Sequence, residues 1–546
     1  MPAAGRVASF IGPNLHRRRD TAAIADRLPY LGKSTMLVPV LAGTGVAMRM
    51  APLRMQVEIP SDVYTDVAPA TPGQLEQSKF ACDESVKLWE DFQRDGPATA
   101  VENLRETAAA FARIASTPEG AAYAAAAGLR SGYFVGNALL GTLAFELSER
   151  VRGEGQGAGG LINVAGFGNM GGLGVDGDVA SRLLLEAAMV YEADYAAISR
   201  GEFKQPWDMS SLSHRQYRPR FALRQTQRFV REAVETLGRR SRQKPEDVGV
   251  WMQADGKLYP DYYLNNFHYQ SDGWLSAASA SVYETSTETL FVGRQDGMQR
   301  TSLRPLHANK IAQANGGAPR VLEVACGTGR FATFLRDNLP PQAELTALDL
   351  SPFYLAKARE NDAYWRRTRA SGEQQAAAAK FVQANAETLP FADESFDAVV
   401  CVYLFHELPQ EARRRAALEM CRVIAPGGTV VLTDSMQKGD RPVLDDLLGN
   451  FGKLNEPHYA NYIETDLSAL FEEGGLVCDR KYVSSSSKTL SFTKPLAETD
   501  TVEEEATAAV VEEAEPEAET EAETPQVVAE ADQDEPDQEQ DEPDQD

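Results

Sequence analysis

Two textures of hydrophobic and polar positions divide the chain. From about Gln74 to Arg242 it is rich in Ala, Leu, Glu and Arg and poor in β-branched residues, which predicts helices over Asp83–Arg94, Ala98–Ser116, Ala121–Val151, Asp178–Gly201 and Arg220–Arg242. Asp178 is a suitable N-cap for the fourth of these. From Arg320 onward short apolar runs alternate with helix-like stretches. The runs Arg320–Ala325, Leu345–Leu350, Lys380–Ala384, Ala398–Tyr403 and Thr429–Thr433 have the length of parallel strands buried on both faces. A helix over Glu464–Glu473 and two more strands, Val477–Val483 and Thr489–Phe492, close the pattern as an antiparallel hairpin. The expectation is a doubly wound, Rossmann-like α/β sheet of seven strands, with a ligand at the strands' carboxyl ends. Helices precede it.

Charge sharpens the boundaries. The formal charge of −26 is concentrated at the end, because residues 496–546 hold 22 Asp or Glu and no Lys or Arg. Such a segment cannot bury enough apolar area to offset its ordering entropy, so it reads as a disordered acidic tail. Residues 1–57 carry eight Lys or Arg against Asp20 and Asp26, an Arg-rich leader that reads as an organelle transit peptide or as a disordered basic arm. Between them lie a mainly helical region (58–250), a connecting segment (251–310) and the α/β domain (311–495). The glycine-rich stretch 153–178 lacks the spacing of a P-loop or dinucleotide fingerprint and reads as a linker. The five cysteines form no CxxC pair and read as reduced thiols. No run reaches the 18 apolar residues of a membrane span. No metal-ligand spacing surrounds His214 or His268, so no metal is expected and both read as ordinary hydrogen-bonded residues.

The chemistry sits in VLEVACGTGRF, residues Val321–Phe331, where a strand runs into a glycine turn that opens a helix. Asp349 ends the next strand 22 residues after Gly327, where a carboxylate can accept hydrogen bonds from a ribose diol. Asn385-Ala386-Glu387 follows the third strand and places an amide beside a base. FDAVVCVYLFHEL (Phe396–Leu408) and APGGTVVLTD (Ala425–Asp434) complete the order. A dinucleotide site is the main competitor; the acid inside the first strand, Glu323, and the LPFADESFD segment tell against it.

These five ordered motifs resemble the class I S-adenosylmethionine-dependent methyltransferases, in particular the type 11 small-molecule group, over about residues 280–495. The segments 207–242 and 261–300 are similar to a plant and algal branch of that group, which implies a plastid location, with the mitochondrion as the other option. The resemblance implies that Glu323, Ala325, Cys326, Gly327, Thr328 and Gly329 hold the methionine end of S-adenosylmethionine, Asp349 the ribose and Asn385 the adenine. Leu350, Ala386 and Cys401 complete that set. Relatives more often have Asp where Asn385 stands.

Methyl transfer needs alignment and exclusion of water more than an invariant catalytic set. His406, directly after the fourth strand, is the candidate general base; it could equally pack against adenine or cap the following helix. His458, Tyr459 and Tyr462, with Glu456, lie in a segment that could cover the acceptor, and Tyr283 and Arg294 could close the site from the other side. The aromatic segment 261–300 can line a pocket or form a packed interdomain surface. The expected function is methyl transfer to a small, lipid-like acceptor; the competing reading is a non-catalytic protein that retained the fold. A nucleic-acid partner is not expected, since residues 58–495 sum to −10.

Overall fold

The computed structural model describes residues 80–90, 100–152, 177–210, 213–245, 259–369 and 377–496. The basic leader, the tail beyond residue 496 and the glycine-rich stretch up to residue 176 lie outside the described residues.

Eight strands form one sheet: β1 (Phe80–Cys82), β2 (Arg320–Val324), β3 (Glu344–Asp349), β4 (Lys380–Gln383), β5 (Phe396–Val402), β6 (Ile424–Ser435), β7 (Val477–Ser484) and β8 (Ser487–Thr493). Their order is β1-β7-β8-β6-β5-β2-β3-β4. The expectation of seven strands is corrected by β1, which pairs parallel with β7 at the register Ala81↔Tyr482 and covers what would be an open edge. Three residues are too few to show an alternating pattern, so the sequence hid this strand in a region that otherwise reads as helical. Only β8 runs antiparallel to its neighbours.

From β2 the chain builds outward through β3 and β4, then returns to add β5 and β6 on the other side. The order therefore reverses between β2 and β5, which opens a crevice beyond their carboxyl ends. Successive residues of β2 serve opposite faces: Val321 packs with Phe331, Phe334 and Val431, while Leu322 and Val324 pack with Val399, Phe405 and Met420.

The described helices of seven residues or more are α1 (Ala100–Ile114), α2 (Pro118–Val151), α3 (Gly177–Ser199), α4 (Pro219–Ser241), α5 (Ala277–Leu290), α6 (Arg330–Asn338), α7 (Pro352–Arg369), α8 (Gln410–Val423) and α9 (Leu467–Glu473). Two boundaries differ from expectation for local reasons. Asp83 accepts the Ser85 N–H and starts a 3₁₀ turn over Glu84–Trp89 where a longer helix was expected. Asp466 caps α9 by accepting the Ala469 N–H, which delays that helix to Leu467.

α1 to α5 pack against one another and over the sheet. At Gly141 of α2 an added Cβ would lie 3.0 Å from the Ala233 Cβ, so glycine allows α2 and α4 to close on each other. α3 is tied to the sheet through Glu186, which is fully buried. It accepts from Trp89 Nε1 (2.9 Å), Arg441 Nη1 (2.9 Å) and Ser485 Oγ (2.8 Å), and faces Arg294 Nη2 at 3.6 Å. Among the described residues no helix is long and apolar enough to cross a membrane.

Candidate active site

The turn after β2 is built to expose backbone. Ala325, Gly327 and Gly329 all have positive φ (57°, 55° and 74°). Gly329 needs it for packing, since an added Cβ would sit 2.9 Å from the Ala358 Cβ on α7. Gly327 is the opposite case: no atom lies within 4 Å of where its Cβ would be, so the turn offers open space to a ligand. The turn is braced from α5, where Glu284 Oε1 accepts from Thr328 Oγ1 (2.7 Å) and Asn361 Nδ2 (2.9 Å).

Asp349 lies across this turn. Its Oδ2 accepts the Gly327 N–H and its Oδ1 the Ser351 N–H, both at 2.8 Å, which fixes the carboxylate and leaves lone pairs facing a cavity of about 110 Å³. Leu350, Asn385 and Ala386 line the same cavity, with Tyr262, Trp274 and Tyr354. Asn385 folds its amide back: Oδ1 accepts the Glu387 N–H at 2.9 Å, which leaves one lone pair of that carbonyl. Burial raises the Asp349 carboxyl to about 6, although the backbone N–H groups of Ser351 and Gly327 oppose this.

Glu323 is buried at the end of β2, and its Oε2 has no hydrogen-bond partner among the described residues. Burial, with the charge of Asp349, holds its carboxyl well above the ordinary range. It lines a second cavity of about 440 Å³, together with Ala325, Cys326, Gly327 and Thr328. A buried orphan carboxylate beside the turn is a ready partner for a cationic amine. The far wall of this cavity includes Arg330, which bridges Asp208 (2.6 Å) and Asp296 (2.5 Å) and so ties the turn to the N-terminal helices.

A third cavity, of about 210 Å³, runs between α2, α4 and α5. Its walls are largely apolar, with Ala138, Phe229, Leu237, Leu290, Phe291 and Phe451 among them. Its polar end holds His268, His406 and Glu407. Tyr283 and Tyr403 line all three cavities and mark where they meet. Tyr403 is held at φ 56°, another non-glycine residue in the left-handed region beside the site.

The structure brings together most of the residues singled out in the sequence, with several exceptions. Cys401 is fully buried in the core, away from the three cavities. Arg294 does not close the site; it is 1% exposed and donates to Ser485 Oγ (3.0 Å) and the Phe291 carbonyl (2.8 Å). Tyr459 and Tyr462 are buried, and their hydroxyls bond Ser435 (Tyr459 at 2.8 Å). His458 packs edge-on against Tyr262 outside the three cavities. These four are therefore packing residues. His214 lines the second cavity, where it packs edge-on against Trp207 and Tyr364.

His406 caps no helix, and it lines the third cavity, not the one lined by Asp349 and Asn385. Its Nδ1 is 2.6 Å from Asp434 Oδ1 and its Nε2 is 3.4 Å from Glu407 Oε1. Burial disfavours the charged ring, but Asp434 and Glu407 outweigh it and hold the imidazole well above its ordinary value. Tyr403 and Glu407 flank it in the same YLFHEL motif and were readable there; Glu284, next to Tyr283, gave no separate signal in the sequence.

If Asp349 receives a ribose, the ionised form is the one that binds. Cofactor affinity is then flat above roughly pH 7, halved near pH 6, and falls toward tenfold per unit well below it. Calorimetric titrations between pH 5 and pH 8 would check this; constant affinity across that range would contradict it.

A family model described as a methyltransferase domain matches residues 321–428. The chain is similar to a demethylmenaquinone methyltransferase of Deinococcus radiodurans, 33% identical over 161 residues, which cover 29% of this chain and 58% of the relative. It is also similar to a fatty-acid O-methyltransferase of Mycolicibacterium smegmatis, 36% identical over 152 residues (28% of this chain, 49% of the relative). The chain thus spans about half the length of these curated relatives. Among solved structures it resembles the N-methyltransferase NodS of Bradyrhizobium japonicum in complex with S-adenosyl-L-homocysteine, at 17% identity and a TM-score of 0.26, covering 37% of this chain and 87% of that one. The chain carries a methyltransferase domain over residues 321–428.

Proposed function

We propose that this protein transfers a methyl group from S-adenosylmethionine to a small molecule with an apolar body. The observation that carries this reading is the meeting of three cavities at Tyr283 and Tyr403. The Asp349 and Asn385 cavity takes the adenosine, and the Glu323 and Gly327 end of the second takes the methionine moiety, its amine beside the orphan Glu323 carboxylate. The sulfonium then lies at the junction, facing the third cavity, whose walls from α2, α4 and α5 receive the acceptor.

The chemistry asks little else of the protein. In-line displacement at the methyl carbon is accelerated by holding the two reactants aligned and dry. The N-terminal helices supply that enclosure, which accounts for their being packed over the crevice rather than tethered to it. Relatives named for a fatty acid and for demethylmenaquinone accord with an apolar acceptor.

Leu237 tests this assignment, because it is half-buried and lines only the third cavity of the three. Leu237→Trp is expected to raise the KM for the acceptor or abolish turnover, with S-adenosylmethionine affinity unchanged within about twofold. Unaltered turnover with the larger side chain would remove the acceptor from this cavity.

A further inference from the structure

Two imidazoles converge on one carboxylate at the polar end of the third cavity. His268 Nε2 and His406 Nε2 each lie 3.4 Å from Glu407 Oε1, and one ligand atom from each of the three residues falls within 4.8 Å of the others. Each ring is fixed from behind by a further carboxylate: His406 Nδ1 is 2.6 Å from Asp434 Oδ1, and His268 Nδ1 is 3.0 Å from Glu456 Oε1. We propose that His268, His406 and Glu407 form a binding site for a divalent transition-metal ion, zinc(II) being the ion that suits the set best.

Distance and donor chemistry agree on this. A separation of 3.4 Å is long for a hydrogen bond to a carboxylate. It is, however, the edge of a tetrahedron around an ion with bonds of roughly 2.0–2.1 Å, which comes to about 3.4 Å. A carboxylate on Nδ1 selects the tautomer whose Nε2 lone pair points forward, the arrangement that orients metal-bound histidines. A nitrogen, nitrogen, oxygen set suits zinc(II) or iron(II) over magnesium or calcium, which take oxygen ligands.

The second observation is an orphan. Glu407 is 8% exposed and Glu456 1% exposed, and among the described residues no nitrogen or hydroxyl donates to the Oε2 of either; the two carboxyl groups lie against each other, which calls for a proton or a cation between them. Unpaired oxygens of this kind are costly unless a cation or ligand completes them. Three protein ligands leave a coordination position toward the cavity shared with Tyr403 and Gln295. Given the reading of that cavity as the acceptor site, the ion would hold and polarise a polar group of the acceptor.

The test uses the full chain, stripped with a chelator and titrated with zinc(II) against a chromophoric competitor. One zinc per chain is expected, with affinity lowered at least about tenfold in both His268→Ala and Glu407→Gln. Cobalt(II) should give the visible absorption of a four-coordinate site, lost in both variants. Glu456→Gln, which only loosens the hold on His268, should weaken zinc about 10- to 100-fold and serves if His268→Ala does not fold. Failure to take up stoichiometric zinc, or equal affinity in wild type and variants, overturns the proposal. S-adenosylmethionine titration and methyl transfer on the same samples separate the two readings: transfer at full rate without zinc removes the ion from the acceptor's binding, whereas zinc uptake without cofactor binding leaves the metal site standing and sinks the methyl-transfer reading.

Discussion

Replacing Glu186 by alanine is expected to destabilise the fold by about 3–5 kcal/mol, the cost of breaking a fully buried ion cluster by removing one partner. Glu186 is the only carboxylate among the described ion pairs of Arg441 and Arg294, both buried. Burial works against its charge, yet Arg441 and Arg294 hold it below the ordinary carboxylate value, so it is ionised in the fold. Without it two guanidinium groups face each other in the interior. The cluster also joins Trp89, α3 and the β7–β8 turn, so the loss spreads across the junction between the N-terminal helices and the sheet. Trp89 donates to Glu186 directly, and its fluorescence is a local reporter. Urea unfolding followed at that signal should show a midpoint well below that of the wild type; an unchanged midpoint would mean the cluster contributes nothing net.

Asp349→Ala is the second large effect. The carboxylate is fixed by two backbone N–H groups and faces the cavity assigned to adenosine. Loss of hydrogen bonds to a charged acceptor costs about 1.5–3 kcal/mol, a fall of roughly 10- to 150-fold in S-adenosylmethionine affinity. The variant also frees the Gly327 N–H, which loosens the turn, so the upper half of that range is expected. Calorimetric titration with the cofactor gives the number directly. Affinity equal to that of the wild type would move the ribose elsewhere.

What could be read from the sequence was what is local. The strands β2, β3, β5 and β6 are short apolar runs because both their faces are largely buried, and the glycine turn followed by Asp349 fixes the crevice between β2 and β5. The hairpin β7–β8 carried its own signal. Non-local pairings carried none. β1 joins β7 across some 400 residues, and nothing in Phe80–Cys82 announces it. His268 meets Glu407 and Glu456 only because the aromatic segment folds back over the sheet, so no ligand spacing is visible along the chain. The same segment lines the cavities, through His268, Trp274 and Tyr283 among others. Arg294, Tyr459 and Tyr462 misled for a related reason: polar side chains near a crevice are as readily used to join elements as to touch a ligand.

On the proposed function, the junction at Tyr283 and Tyr403 passes a methyl group from S-adenosylmethionine to an apolar acceptor. Incubating the full chain with methyl-labelled S-adenosylmethionine and an organic-solvent extract of small metabolites, followed by mass spectrometry, tests it most directly. A labelled product is expected in the apolar fraction, formed in step with S-adenosylhomocysteine and lost with Asp349→Ala. Cofactor binding with no labelled small molecule in any fraction would contradict it.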